Sequence, residues 1–420
     1  MNEKIILSKD QKIVFDFIID KIKSGEPIAT FGGYAGTGKS TLITKIISEL
    51  RKENKNYNFS FLSFTGKAAN ILKSKLIFES RINKNGYKQD VDFIGTIHSF
   101  MYKAKTTYDN ELKKYVITGW KKKTKSEIGP YSLIIIDEAS MLPNYILNDL
   151  KTYEIQILAV GDHGQLPPVT KDPDKTNIIQ HPDIKLIKIH RQCENSPIIK
   201  LSQFVRDHGH IPNNTVFDKS VFKIDWNHNK CQEIWNNELS FDKDMVCLCG
   251  FNYSRVVINE MIRNKFKFKE NFPYSDERII CLKNDHKLGI MNGQMATLMW
   301  SIGISKKFMK VTIDLDDDMV DGYVDCVSSL TTYNQEYHDI YNIQYTKKDK
   351  RILKEQGFKD VNYFDYGYCI SIHKSQGGSW DMVVLFEQRG RNWSDEYYAK
   401  WLYTGITRAK NKLMIISNYR

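Results

Sequence analysis

The chain has 420 residues, 41% of them hydrophobic, so two or more folded domains with apolar cores are expected. A formal net charge of +11 suits a polyanionic partner without identifying one. The cysteines lack the paired spacing of a zinc site or a disulfide framework, and no apolar run suits a signal peptide or a membrane span, so a cytoplasmic protein with reduced thiols and no membrane contact is expected.

The first part of the chain repeats a pattern that is typical of a parallel α/β sheet, in which a short β-rich run is followed by a turn and a helical segment. Ligands of such sheets bind at the carboxyl ends of the strands, so the loops that follow the β-rich runs are the expected places for a site. These runs cover residues 28–31, 59–64, 133–136, 155–160 and 184–189.

The segment 33–40, GYAGTGKS, has the spacing of a phosphate-binding loop and lies between a β-rich run and an amphipathic helix at 41–50. Its glycines let backbone N–H groups turn toward phosphate oxygens, and the helix contributes its positive N-terminal end. Lys39 is expected to reach the β- and γ-phosphates of ATP, and Ser40 is expected to hold Mg²⁺. The predicted nucleotide-binding residues here are Gly33, Ala35, Gly36, Thr37, Gly38, Lys39, Ser40 and Thr41.

The segment 134–138, IIIDE, is an apolar run that ends in two carboxylates, as a Walker B element does. Asp137 is predicted to orient Mg²⁺, and Glu138 is predicted to act as the general base toward the attacking water. An acidic pair in this position can also be just the start of a helix. In combination with Lys39 it predicts hydrolysis of a nucleoside triphosphate.

Two insertions interrupt the α/β pattern. Residues 101–128 contain the alternating run YVITGW followed by three lysines, which predicts a basic β-hairpin that turns near Asp109 and Asn110; a solvated loop with surface lysines is the alternative. A second series of β-rich runs begins near Met245 and predicts a second α/β lobe. Residues 287–362, inside that lobe, are expected to form a small antiparallel β module.

Motifs spread over nearly the whole chain resemble those of the superfamily 1 helicases. Residues 160–169, VGDHGQLPPV, resemble motif III in the form typical of branch 1B, and residues 372–377, IHKSQG, resemble motif V of the RecD and Dda type. Further resemblances, in the order that the family has, are Gln11 to the Q motif, 64–69 to motif Ia, 96–100 to motif Ib, 189–191 to motif IV and 403–409 to motif VI.

The resemblance implies an α/β fold with two RecA-like P-loop lobes, each a parallel sheet flanked by helices, which clamp ATP between them. It also implies that the β-hairpin of the first lobe is a wedge that splits the duplex, and that the β module of the second lobe is SH3-like and guides the strand. The expected boundaries are 1–100 with 129–188 for the first lobe, 101–128 for the hairpin, 189–286 with 363–420 for the second lobe, and 287–362 for the SH3-like insertion.

The resemblance further implies a role for individual residues. Gln11 is expected to read adenine, and Gln165 to sense the γ-phosphate and report it to the DNA groove. The predicted catalytic set is Lys39, Asp137, Glu138 and Gln165, with Arg191 and Arg408 as arginine fingers.

Single-strand binding requires donors for the phosphates and flat surfaces for the bases. Burial in a core is the alternative for each aromatic residue and for each histidine. The predicted phosphate contacts are Thr65, Lys67, His98, Ser99, His373 and Lys374, and the predicted stacking residues are Phe64, Phe100 and Trp380.

The function that the resemblance implies is that of an ATP- and Mg²⁺-dependent DNA helicase, which moves 5′ to 3′ on single-stranded DNA and opens junctions between single and double strands. A monomer is expected, with a single-strand-binding or replication or recombination protein as a partner. The alternatives are an RNA-directed helicase or remodeller of the same branch, and a nucleic-acid-binding scaffold whose P-loop is regulatory. The intact catalytic set argues against the scaffold.

Overall fold

The structure is a computed structural model of the chain. The chain divides into two compact units, Met1–Glu194 and Asn195–Arg420. Among the residues that the structure describes, no helix combines the length and the apolar composition that crossing a bilayer requires. The described residues are 7–80, 85–109, 114–168, 178–188, 196–212, 220–268, 272–285, 288–316, 323–358 and 360–419, without the side chains of Lys67, 104–109 and 114–120.

The first unit alternates strands and helices along the chain. Its strands are β1 (Ile28–Gly33), β2 (Phe59–Ser63), β3 (Phe93–Thr96), β4 (Tyr102–Asp109), β5 (Lys114–Lys122), β6 (Leu133–Asp137), β7 (Gln156–Gly161) and β8 (Ile184–Leu186). Its helices are α1 (Lys9–Lys23), α2 (Lys39–Glu53), α3 (Gly66–Ser80), α4 (Ile97–Met101), α5 (Lys125–Ile128) and α6 (Asn144–Lys151).

Six of these strands form one parallel sheet in the order β3-β2-β6-β7-β1-β8. The strands are almost continuously apolar because helices cover the sheet, and in β6 the residues from Leu133 to Ile136 are fully buried. The order places β1, β7 and β6 side by side, so that the loops after them emerge together at the carboxyl edge. Ser63 of β2 pairs with Asp137 of β6 and with Thr96 of β3, which brings the loops after β2 and β3 to the same edge.

The predicted hairpin insertion is confirmed, since β4 and β5 form an antiparallel pair. The expected turn at Asn110 lies outside the described residues. Tyr153 anchors the base of the hairpin, because its hydroxyl donates to the carbonyl oxygens of Met101 at 3.2 Å and Lys123 at 2.9 Å. Lys122 adds an ion pair to Asp149 at 2.8 Å.

The second unit contains a sheet and a barrel. Its strands are β9 (Val221–Asp225), β10 (Met245–Cys249), β11 (Arg278–Cys281), β12 (Met295–Gly303), β13 (Phe308–Leu315), β14 (Val324–Ser329), β15 (Asn362–Tyr366), β16 (Cys369–Ser371), β17 (Trp380–Phe386) and β18 (Ala409–Ser417). Its helices are α7 (Pro197–His208), α8 (Asn229–Asn237), α9 (Asn252–Lys265), α10 (Lys347–Glu355), α11 (Ile372–Ser375) and α12 (Asp395–Ile406).

The parallel sheet of the second unit has the order β16-β10-β17-β18-β9. Strands β16, β10, β17, β18 and β9 correspond, one to one, to β3, β2, β6, β7 and β1 of the first sheet, because each pair has the same place both along the chain and across the sheet. The second unit therefore repeats the topology of the first. The expectation of two α/β units with parallel sheets is therefore confirmed.

Strands β11 to β15 close into a small barrel, as expected for an SH3-like insertion. The barrel includes β11, which precedes the expected start at residue 287, because the apolar run of β11 pairs with β15 rather than with the parallel sheet. Two buried ion pairs join helix α9 to the barrel side of the unit, Arg255 with Asp365 and Arg263 with Glu277.

Candidate functional site

The phosphate-binding loop connects β1 to α2. Gly36 and Gly38 have φ angles of 79° and 81°, a left-handed conformation that favours glycine. Lys39 begins α2 and turns back into the loop, where its Nζ donates to the carbonyl oxygens of Gly33 at 2.7 Å and Tyr34 at 3.2 Å. The loop therefore holds the Lys39 ammonium where the predicted phosphates would bind.

Close packing requires a glycine at position 33. A Cβ atom there would lie 2.7 Å from Thr37 Oγ1 and 3.0 Å from Lys39 Cγ. Thr37 is fully buried, and its hydroxyl donates to the Tyr34 carbonyl at 2.8 Å, which fixes the turn. The curvature of the loop thus follows from the sequence pattern.

Gln11 links the first helix to this loop. Its Oε1 accepts from the Ser8 N–H at 3.1 Å as part of the capping box of α1, and its Nε2 donates to the Thr37 carbonyl at 3.2 Å. Gln11 is 3% exposed, so its amide contacts the phosphate loop from the interior of the protein. The role of Gln11 in reading adenine stays a prediction.

Asp137 is the last residue of β6, and Glu138 follows it. Burial raises the pKa of Asp137 to about 6, and the neighbouring Glu138 adds to the rise, while Lys75 and Lys39 act in the opposite direction. Glu138 has a φ of 54°, uncommon for a residue with a side chain, and its N–H donates to Asp137 Oδ1 at 3.0 Å. A perturbed carboxyl and a left-handed backbone together are typical of a functional site.

The end of β7 packs against the segment that follows the Walker B pair. A Cβ atom on Gly161 would lie 2.9 Å from Ser140 N and 3.2 Å from Ala139 N, so glycine permits this close approach. Glu138 Oε2 and Gln165 Oε1 are buried and have no hydrogen-bond partner among the described residues. Two buried acceptors of this kind fit a site that receives water and other donors.

The same residues fit a magnesium ion. Mg²⁺ prefers oxygen ligands and keeps several waters, and Ser40 and Asp137 offer a hydroxyl and a carboxylate beside the phosphate loop. The buried acceptors on Glu138 and Gln165 could hold such waters. The donor set therefore suits hydrated Mg²⁺ together with a nucleotide.

The predicted strand-binding loops of the first unit follow β2 and β3. His98 is exposed at the start of α4, Ser99 Oγ donates to the Thr96 carbonyl at 2.8 Å, and Thr65 Oγ1 accepts from the Ala68 N–H at 3.2 Å. Phe64 is partly buried against the core, and the side chain of Lys67 lies outside the described part of the structure. The roles of these residues stay predictions.

Two aromatic residues are buried instead of available for stacking. Phe100 is 2% exposed and packs between Phe93, Tyr131 and Tyr153. Trp380 is 4% exposed at the start of β17. Because neither ring can present its face to a base in this structure, the prediction that Phe100 and Trp380 stack on DNA is wrong.

Helix α11 carries the predicted strand-binding residues of the second unit. His373 Nε2 lies 3.0 Å from the hydroxyl oxygen of Tyr397, and burial lowers the pKa of His373. Lys374 is exposed, yet the surrounding protein desolvates its ammonium and, with the positive charge of Arg255, lowers the pKa of Lys374 to about 8. Both side chains lie just after the carboxyl end of β16.

Arg408 is held inside the second unit. It is 5% exposed, its Nε donates to the Thr404 carbonyl at 3.1 Å, and its Nη1 donates to the Gly378 carbonyl at 3.1 Å. It thereby joins the segment that resembles motif VI to the residue that follows the segment resembling motif V. Its role as an arginine finger stays a prediction, and Arg191 lies outside the described residues.

Sequence reasoning missed several residues at the two carboxyl edges. The ring of Tyr34 contacts that of His163, and Phe251, Tyr253 and Trp393 form ring contacts beyond β10 and β17. Phe251 and Tyr253 directly follow the β-rich run MVCLC, so the rule that ligands gather after parallel strands could have identified them. Nothing in the sequence signals the contact between Tyr34 and His163.

Comparisons with known proteins agree with this geometry. Residues 18–171 match a model of the AAA domain, and residues 366–416 match a model of the UvrD-like helicase C-terminal domain. The ATP-dependent RecD2 DNA helicase of Deinococcus radiodurans is 23% identical over 97% of this chain and 48% of its own length. The RecBCD enzyme subunit RecD of Buchnera aphidicola subsp. Schizaphis graminum is 22% identical over 92% of this chain and 69% of its own.

The fold is also that of a solved helicase. A crystal structure of the Pif1 helicase from Bacteroides in complex with ADP-AlF3 and ssDNA covers 99% of this chain and 93% of its own, with a TM-score of 0.55 and 19% sequence identity. The chain spans about half the length of the RecD2 relative, at 48%.

A phosphate loop, a Walker B pair and a motif III loop at one sheet edge, with a second sheet of the same topology, define the fold of a P-loop protein with two RecA-like units. With the motifs and matches described above, the chain is similar to the superfamily 1B helicases of the RecD and Pif1 type.

Proposed function

We propose that the protein is an ATP-dependent DNA helicase that moves along single-stranded DNA, 5′ to 3′, and unwinds duplex DNA at junctions. One observation carries the proposal, namely the shared carboxyl edge of the first sheet. Strands β1, β6 and β7 carry the nucleotide residues at that edge, and β2 and β3 carry the predicted strand-binding loops. Asp137 pairs in register with Ser63, two residues before Thr65, so the predicted hydrolysis site and the predicted strand-binding loop are neighbours at this edge.

The residues have the following roles in this proposal. Lys39 neutralises charge on the β- and γ-phosphates, Glu138 accepts a proton from the attacking water, and Gln165 senses the γ-phosphate. Ser40 and Asp137 hold Mg²⁺, which supplies positive charge to the phosphates when it is bound. The positive charges of Arg408 and Arg191 stabilise the negative charge that develops on the γ-phosphate.

DNA contacts come from loops of both units. Thr65, Lys67, His98 and Ser99 bind backbone phosphates on the first, and His373 and Lys374 do so on the second. The hairpin β4–β5 separates the strands, and its exposed Lys121 suits contact with phosphates. The barrel guides the strand, and the polarity is the one expected for the family.

An unwinding assay with duplexes that carry a 5′ or a 3′ single-stranded tail tests the proposal. The wild-type protein is expected to open only the 5′-tailed duplex, with ATP and Mg²⁺ present, and Lys39→Ala is expected to open neither. Preference for the 3′ tail would overturn the polarity. ATP turnover measured with DNA and RNA strands of equal length separates DNA from RNA as the track, and greater stimulation by RNA favours the RNA-directed alternative.

A further inference from the structure

A row of aromatic side chains lies at the carboxyl edge of the second sheet; we name Tyr253, Phe251, Trp393 and Tyr397 the aromatic row. The ring of Phe251 stacks on Tyr253, with centroids 5.5 Å apart, and on Trp393, at 5.4 Å. Trp393 contacts Tyr397 at 5.1 Å, and the Tyr397 hydroxyl lies 3.0 Å from His373 Nε2. The row thus runs from Tyr253 to Tyr397, which contacts the predicted strand-binding residue His373.

The arrangement of the row follows from the sheet. Strands β16, β10 and β17 are parallel neighbours, so the segments that follow them emerge on the same side. Two glycines make room for the Trp393 indole, because a Cβ on Gly390 would lie 2.7 Å from its Nε1 and a Cβ on Gly250 would lie 3.1 Å from its Cη2. Tyr253, at the outer end of the row, is 50% exposed.

A cavity of about 780 Å³ opens beside Tyr253, and Tyr419, Asn227, Gln388 and Asn418 contribute to its lining. It lies beyond β9, β10, β17 and β18, which correspond to β1, β2, β6 and β7 of the first sheet. The segment after β9, Trp226-Asn227-His228, has no glycine-rich phosphate loop. The cavity therefore occupies the topological position of a nucleotide site without the means to hold a triphosphate.

The charged residues of the cavity are already paired. Glu387 forms an ion pair with Lys223 at 2.7 Å, and Arg389 pairs with Asp395. The amide of Gln388 is also occupied, by Gly250 and Ser254, and that of Asn418 donates to Asp225, so the cavity offers mainly the ring faces of Tyr253 and Tyr419. Such a lining suits a flat, neutral group that stacks on aromatic rings, and a nucleobase has this chemistry.

We propose that the aromatic row binds unstacked bases of the single strand and that the cavity beside Tyr253 receives one base. The proposal rests on the proposed function, and it adds a base-binding surface to the phosphate contacts of His373 and Lys374. Stacking on aromatic rings tolerates any base sequence, as a motor that moves along DNA requires. The second unit then grips the strand by its bases as well as by its backbone.

Binding of a normal strand and of an abasic strand of the same length tests this proposal. Loss of one stacking ring weakens single-strand binding by about 5-fold or more. Tyr253→Ala is therefore expected to weaken binding of the normal strand by at least about 5-fold and to leave binding of the abasic strand unchanged. Tyr253→Phe keeps the ring and is expected to behave like the wild type. Tyr145→Ala, on a tyrosine that is 56% exposed in the first unit, is the matched control and is expected to change neither affinity.

The outcomes separate the inference from the proposed function. Equal weakening on both strands, or an unchanged Tyr253→Ala protein, would overturn the base-binding role while leaving the helicase proposal intact. A wild-type protein that binds neither strand would overturn both. Thermal unfolding of each variant identifies any loss that comes from misfolding, and a Tyr253→Phe protein that loses normal-strand binding while remaining folded would also overturn the role of stacking.

Discussion

The ring of Tyr34 in the phosphate-binding loop lies 4.2 Å, centroid to centroid, from the imidazole ring of His163 in the loop after β7. The contact joins the loop that holds Lys39 to the loop that carries Gln165. A Cβ on Gly32 would lie 2.8 Å from His163 Nδ1, so the end of β1 also leaves room for this ring. The segments that are predicted to bind and to sense phosphate are therefore in direct contact.

We predict energetic coupling between Tyr34 and His163. A double-mutant cycle with Tyr34→Ala and His163→Ala is expected to give a coupling of about 0.5–1.5 kcal/mol in kcat/KM for ATP, because paired rings contribute about this much beyond their buried area. Phe204 and His208, whose ring centroids are 4.1 Å apart in α7, provide a control pair. Their double-mutant cycle is expected to show coupling in the free energy of unfolding but not in ATP turnover. Additive effects of Tyr34→Ala and His163→Ala would contradict the prediction.

Gly161→Ala should destabilise the first unit and lower ATP turnover. The added Cβ meets the backbone nitrogens of Ser140 and Ala139, which cannot move aside as a flexible side chain could, and such overpacking costs about 1–3 kcal/mol. Gly303→Ala is the matched control, because its Cβ would have no atom within 4 Å. Chemical unfolding and steady-state ATP hydrolysis measure the two effects, and equal behaviour of the two variants would refute the close-packing argument.

Glu138→Gln should separate ATP binding from hydrolysis. The amide keeps the shape of the side chain but cannot accept the proton of the attacking water, so turnover is expected to fall by about 10²- to 10⁴-fold while nucleotide affinity is retained. Glu154→Gln is a suitable control, because Glu154 also has a positive φ, 53°, but its side chain is exposed and forms a surface ion pair with Lys125 at 2.9 Å. ATP hydrolysis and equilibrium nucleotide binding are the measurements, and near-normal turnover in Glu138→Gln would assign the base elsewhere.

The parallel sheets and the nucleotide site could be predicted from the sequence because both depend on local patterns. Apolar runs such as LIIID give strands, and the eight-residue loop at 33–40 fixes its own conformation through glycines and a lysine. The sequence does not distinguish β11 from the strands of the parallel sheet, because its run RIIC is similarly apolar. Only its pairing with β15 assigns it to the barrel. Burial of Phe100 and Trp380 depends on neighbours distant in sequence, so a motif could not decide whether these rings face solvent or core.

Asp365 should be essential for the stability of the second unit. Its carboxylate is fully buried and accepts from Arg255, from the Asn334 N–H at 2.8 Å and from the Tyr366 N–H at 2.8 Å. Removing one partner of a buried ion pair leaves an uncompensated charge, so Asp365→Asn is expected to lower the free energy of unfolding by about 3–5 kcal/mol.

An exposed carboxylate provides the comparison for that substitution. Asp339, which contacts Asn342, is exposed, and Asp339→Asn is expected to change the free energy of unfolding by less than about 0.5 kcal/mol. Urea unfolding followed by a probe in the second unit measures both variants. If Asp365→Asn lowers the free energy of unfolding by less than about 1 kcal/mol, the prediction is contradicted, and water or a rearranged Arg255 side chain compensates for the lost charge.

DNA affinity should decrease as the pH rises through the pKa of Lys374, which is about 8. The ammonium is charged below this pH and neutral above it, and only the charged form attracts a phosphate. Between pH 7 and pH 9 the wild-type protein is therefore expected to lose one phosphate contact, and the salt dependence of binding should become shallower by about one unit of slope. Lys374→Arg stays charged throughout this range and is expected to show no such step. Fluorescence titration of a single strand at several pH and salt values measures the DNA affinity. Identical pH profiles for the wild type and Lys374→Arg would contradict the assignment of Lys374 as a strand contact.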